Sequence, residues 1–84
     1  MATTVRMTLR STPKSIGRVQ GFIHKIEKKV HLDEIQTHKL MVSLTEAVNN
    51  AIIHGNKSDA TKKVKVECDC QHEFLVITVA DEGK

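Results

Sequence analysis

Leu40-Met-Val-Ser-Leu-Thr-Glu46-Ala-Val-Asn-Asn50-Ala-Ile-Ile-His-Gly55 decides the reading of this chain. The fourteen residues from Leu40 to Ile53 carry one charged side chain, Glu46. Wound as a helix, the stretch puts Met41, Leu44, Val48, Ala51 and Ile52 on one face. Val42 and Ile53 fall nearly opposite, with Glu46 and Asn50 between the two apolar faces. Apolar surface on two sides predicts a helix sandwiched between a sheet and a further layer, with Glu46 and Asn50 inside. A carboxylate in such a place is costly unless it is paired, hydrogen-bonded or bound to a metal. Four residues apart, Glu46 and Asn50 stack on the same face. Two structural readings fit this spacing, a Glu46–Asn50 hydrogen bond within the helix and a Glu46–lysine pair. A third is functional, because a carboxylate beside an amide oxygen suits a hard cation such as Mg²⁺ with phosphate.

Outward from this stretch, Asp33 is a helix N-cap and Gln36, three residues on, completes a capping-box pattern. Gly55 has the chemistry of a C-cap. The polar run Asn56 to Thr61 is a loop. Residues 62–70 and 73–80 read as two strands joined by a short turn near Gln71-His72. Phe74-Leu75-Val76-Ile77 is apolar on both faces, which predicts a central, covered strand. Val64, Val66, Cys68 and Cys70 share a face of the other strand, and His72 continues the row. A Cys-Cys-His row resembles a metal site, but an inner strand face with two free cysteines is the favoured reading.

Toward the N-terminus, Val5, Met7 and Leu9 alternate with Arg6, Thr8 and Arg10, the pattern of a half-buried strand over residues 3–10. Ser11-Thr12-Pro13 reads as a hydroxyl cap and a first-turn proline. The helix it starts runs to about Val30, with Ile16, Val19, Ile23, Ile26 and Val30 as its apolar stripe. Arg18, Phe22, Lys25 and Lys29 form a second stripe, expected off the core and available to a partner. The order strand, helix, helix, strand, strand predicts an α+β fold: a two-layer sandwich with helices on one face of a mostly antiparallel sheet.

The chain has 84 residues, 39% of them apolar and 27% charged, with a net charge of +3. That composition suits one small globular domain and excludes two-domain enzymes, barrels and repeat arrays. No apolar run approaches the ~20 residues of a membrane span, and no secretory leader opens the chain, so no membrane is expected. Two cysteines without a disulfide framework fit a reducing, cytoplasmic setting. Residues 1–32 hold seven Lys/Arg against one acid, whereas residues 33–84 hold six against nine. The asymmetry suggests an acidic protein partner or a merely solvated face. The lack of helix-turn-helix spacing and of an aromatic platform argues against direct nucleic-acid binding.

Glu46-Ala-Val-Asn49-Asn50-Ala51-Ile-Ile-His54-Gly55 resembles the N-box of the GHKL, or histidine-kinase-like, ATPase superfamily. Val79-Ala80-Asp81-Glu82-Gly83 resembles the start of its first glycine box, Asp-x-Gly-x-Gly. The two motifs, in this order and separated by one loop and a hairpin, look most like the anti-sigma factor serine-protein kinase branch. That resemblance implies ATP and Mg²⁺ as cofactors. Asn50 would coordinate the metal, and Glu46 would be the general base toward a serine hydroxyl of a protein substrate. Asp81 would accept a hydrogen bond from the adenine amino group, and Gly83 would let the backbone pass under the base. Asn49 and His54 would lie near the phosphates.

As partners the resemblance implies a sigma factor and an anti-anti-sigma factor whose serine is phosphorylated. Arg18, Phe22, Lys25 and Lys29 are the candidate contacts. The family's second box glycine, lid and second glycine motif lie beyond Lys84. Residues 1–84 are therefore expected to be a single partial domain whose strand 73–80 exposes an apolar edge. A second copy, in a homodimer that could exchange strands, is expected to satisfy it. Two alternatives stand beside the kinase: a non-catalytic protein-binding module of the same fold, and the ATPase domain of a histidine kinase.

Overall fold

The computed structural model describes residues 3–71 and 74–82. Three strands, β1 (Thr3–Arg10), β2 (Lys63–Cys70) and β3 (Leu75–Ala80), form an antiparallel sheet in the order β1-β2-β3. Two helices, α1 (Arg18–Glu27) and α2 (Glu34–Asn50), separate β1 from β2. The expected α+β fold and element order are observed.

Strand alternation sets the two faces of the sheet. Val5 opposes Cys68, Leu9 opposes Val64, and Val66 opposes Val79. Their inward side chains meet Val19, Phe22, Ile23 and Ile26 of α1 and Leu44 and Val48 of α2 in one core. Cys68 and Cys70 are buried free thiols on this inner face, as the strand reading has it. His72 lies outside the described residues. On β1 and β2 the outer face is polar: Thr4 Oγ1 donates to Asp69 Oδ1 at 2.6 Å, and Arg6 Nε donates to Glu67 Oε2 at 2.8 Å. The Arg6–Glu67 pair is exposed, and exposed ion pairs add little stability.

The first helix is not continuous from Pro13. A 3-10 turn, Pro13–Gly17, precedes α1, and α1 ends at Glu27 rather than near Val30. No side-chain hydroxyl caps the start of that turn. Ser11 is instead fully buried, its hydroxyl donating to Lys62 O at 2.9 Å.

Phe22 is buried, not presented to a partner. Within α1, Val19, Phe22, Ile23 and Ile26 follow the i, i+3, i+4, i+7 pattern of a stripe wide enough to take Phe22 inward. Its stripe neighbours Arg18, Lys25 and Lys29 remain exposed.

The strand expected to be central is an edge strand among the described residues. Leu75, Ile77 and Val79 are half-buried against the core, whereas Phe74 and Val76 are 62% and 45% exposed.

Candidate functional site

Helix α2 starts where the sequence predicts. Gln36 N donates to Asp33 Oδ1 at 2.7 Å, and Asp33 N donates to Gln36 Oε1 at 3.1 Å, a complete capping box. Leu44 and Val48 then anchor one face in the core, with Ala51 and Ile52 continuing it past the helix end. The opposite stripe stays in solvent. Val42 and Ile53 are 51% and 44% exposed, and Glu46 and Asn50 between them are exposed too.

The expected sandwich around Glu46 and Asn50 is therefore not present among the described residues, since a single sheet covers only one side of the helix. The sequence offers two structural partners for Glu46. Among the described residues its side chain forms neither a hydrogen bond to Asn50 nor an ion pair with a lysine. Asn49 and His54 are exposed on the same end of the helix.

The helix does not end on a left-handed glycine. Residues Ala51–Gly55 widen into a π-helical turn, which Asn56 N closes on Ala51 O at 2.8 Å. Single π turns of this kind are frequent at functional sites. The backbone then passes through the left-handed region at Lys57 (φ 53°) and Ser58 (φ 57°), while Ser58 N donates to Ile52 O at 2.7 Å. Asp59 steadies the rest of the loop. Its Oδ1 accepts from Thr61 Oγ1 at 2.6 Å and from Thr61 N at 2.9 Å, bonds that hold its carboxyl below the usual carboxylate range.

Gly55 is required for a different reason than capping. A Cβ built there would overlap Oδ2 and Cγ of Asp81 and stand 3.0 Å from Oδ1. The Asp81 carboxylate is thus laid directly on the backbone of the π turn. The fold brings Asp81, from the exit of β3, to the helix end that carries Asn49, Asn50 and His54, with Glu46 one turn back. Gly83 lies outside the described residues.

One residue of this region escaped the sequence reading. Asn56 is fully buried. Its Nδ2 donates to Ser11 Oγ at 2.7 Å and to Lys63 O at 3.0 Å, and its Oδ1 accepts from Glu82 N at 2.7 Å. The Glu82 carboxylate also accepts from Lys63 N at 2.5 Å. An asparagine directly after a helix reads as a solvated turn residue. Its partners lie 45, 7 and 26 positions away, which no local pattern announces.

The donor set is hard and oxygen-rich: a carboxylate and two carboxamides on an open helix face, with a second carboxylate packed over a glycine. Such a set fits a nucleotide with a hard divalent cation, on the rule that Mg²⁺ takes one or two protein oxygens and leaves the rest to phosphate and water.

The profile of the histidine kinase-like ATPase domain matches residues 9–84, and the chain belongs to that family. Within it, the chain is 40% identical over 65 residues to an anti-sigma F factor of Oceanobacillus iheyensis, an overlap of 77% of this chain and 42% of that protein. An anti-sigma F factor of Heyndrickxia coagulans is 37% identical over 81 residues, covering 95% of this chain and 54% of the relative. The serine-protein kinase RsbW of Bacillus licheniformis is 28% identical over 79 residues, 94% of this chain and 49% of that kinase. The chain thus spans about half the length of the curated relatives it matches.

Proposed function

We propose that residues 1–84 are the front portion of one ATP-binding domain of an anti-sigma regulatory serine-protein kinase, acting on a sigma factor and an anti-anti-sigma protein. The observation that carries this reading is the convergence of Glu46, Asn49 and Asn50 on the exposed face of α2 with an Asp81 carboxylate packed on Gly55. The family and the names of its relatives support it.

In this reading Asn50 offers its amide oxygen to Mg²⁺, and Asn49 and His54 face the phosphates. Asp81 accepts from the adenine amino group, and Gly83 leaves room for the base. Glu46 takes the proton from the attacking serine hydroxyl of the protein substrate. Bound Mg²⁺ supplies charge neutralisation on the transferring phosphoryl group. The remaining work is positioning, for which α2 is anchored in the core at Leu44 and Val48.

Mg-ATP titrated calorimetrically into the wild-type chain and into Asn50→Ala tests the reading. Loss of one charge-assisted ligand should weaken binding by about tenfold or more. Identical isotherms, or no heat from either protein, overturn it. Glu46→Gln should keep the isotherm and lose phosphoryl transfer to a serine.

The protein-binding module stays as a second reading because Arg18, Lys25 and Lys29 form an exposed cationic stripe on α1, suited to an acidic partner. We also infer a cytoplasmic setting, supported by two unpaired cysteines, and a second copy covering β3. No helix among the described residues is long and apolar enough to cross a membrane.

A further inference from the structure

We propose that the buried carboxamide of Asn56 is a positioning residue that holds Asp81 against Gly55 and thereby sets the selectivity of the site for a purine bearing a 6-amino rather than a 6-oxo group. The inference rests on the nucleotide-binding reading above and adds a residue to it.

Asn56 is fully buried, and every hydrogen-bonding direction at it is forced. Glu82 N can only donate, so the atom facing it must be the amide oxygen, 2.7 Å away. The Ser11 hydroxyl donates to Lys62 O, so toward Asn56 it accepts, from Nδ2 at 2.7 Å. The second Nδ2 proton goes to Lys63 O at 3.0 Å. No other side chain of similar size supplies two donors and one acceptor in this arrangement. Aspartate keeps the acceptor but turns an oxygen toward Lys63 O, where a donor is needed.

These bonds join four parts of the chain: the exit of β1 at Ser11, the entry to β2 at Lys63, the segment after β3 at Glu82, and the π turn that Asn56 N itself closes. Asp81 is therefore fixed from both sides. Before it, Ala80 is paired with Lys65 in the sheet. After it, Glu82 is held by Asn56. Between these two anchors its carboxylate rests where a Gly55 Cβ would otherwise be.

A carboxylate reading one amino group must be held to within about 0.5 Å to discriminate. A 6-amino purine offers it a donor. A 6-oxo purine offers a carbonyl at the same position, which opposes it. Release of the Glu82 clamp should consequently erode the discrimination, and not just the affinity.

The test has two arms. Without any nucleotide, the Glu82 amide should exchange slowly by NMR in the wild type. Asn56→Ala should accelerate it by about tenfold or more, with Asn56→Asp in between. In the second arm, the ATP-to-GTP affinity ratio should fall by about tenfold in Asn56→Ala.

Ser11→Ala removes the bonds of its hydroxyl to Lys62 O and Asn56 Nδ2 but leaves the Asn56 Oδ1–Glu82 N clamp, so it should keep both the exchange rate and the ratio. It also serves if Asn56→Ala does not fold, with Asn56→Asp then carrying the comparison. An unprotected Glu82 amide in the wild type, or unchanged exchange in the Asn56 variants, overturns the proposal. So does an ATP-to-GTP ratio that survives Asn56→Ala but is lost in Asp81→Asn. If Asp81→Asn leaves ATP binding intact, it is the adenine role of Asp81 that fails, while the Glu82 exchange still decides for or against Asn56.

Discussion

Cys68 and Cys70 both point inward from β2, with their sulfurs 4.0 Å apart. Burial, and after it the neighbouring Cys70, pushes the Cys68 thiol up from 9.0 to about 12. The folded chain therefore keeps a proton that the unfolded chain releases between about pH 9 and pH 12. Where the native state holds more protons, stability falls as pH rises. Urea midpoints should accordingly decline across that window by more than ordinary lysine titration produces, and the excess slope should vanish in Cys68→Ala. That variant is also less stable at every pH because it leaves a cavity, so the slope and not the height is the readout. An equal slope in both proteins would refute the assignment.

The inner row Val64, Val66, Cys68, Cys70 followed from period-two alternation, which depends only on neighbours. Phe22 was misread because its cationic flanks, Arg18 and Lys25, mark the border of a stripe whose width sequence alone does not give. Asn56 and Gly55 could not be read for their roles. The meaning of each lies in residues that the fold brings from the far end of the chain.

Among the elements, α2 was the most legible and its end the least. Its start is written in Asp33 and Gln36, and both bonds of the capping box form. Replacing Asp33 by Ala removes the acceptor for Gln36 N and the reciprocal geometry of the box. The expected loss is about 1 kcal/mol of stability, measurable as a lower urea midpoint with early exchange of the Gln36 amide. Asp33→Asn, which keeps an acceptor, should recover most of it. Mg-ATP binding should be unaffected, because the site lies at the other end of the helix. A nucleotide defect in Asp33→Ala would show that the two ends are coupled.

The 3-10 turn before α1 and the π turn after α2 were not foreseen, since a search at 3.6 residues per turn imposes one pitch on the whole segment. Both irregularities sit where the chain is bent to serve tertiary contacts. Ser11 is drawn into the Asn56 cluster ahead of the first, and Gly55 yields to Asp81 at the end of the second.

Among the described residues the sheet, with helices on one side, has two edges, β1 and β3, and they differ. Along β1, cationic Arg6 and Arg10 alternate outward, and Arg18 Nη1 donates to Thr8 O at 3.0 Å, taking up a backbone acceptor on that strand. Charged and blocked edges resist pairing with another chain. β3 has no charged residue from Leu75 to Ala80, and it exposes Val76 on the edge with Phe74 just before it. Self-association should therefore run through β3 and not β1. Two copies of β3 meeting antiparallel about a two-fold axis would extend the sheet and cover Phe74 and Val76 in both.

Sedimentation velocity across a concentration series should show a monomer–dimer equilibrium. Val76→Lys should weaken it by about tenfold or more, because symmetry brings both introduced charges into one interface. Arg6→Ala, on the guarded edge, should leave the equilibrium unchanged. A monomer at every concentration, or a dimer indifferent to Val76→Lys, would mean that β3 is satisfied in some other way and that the apolar strand is not a self-association surface.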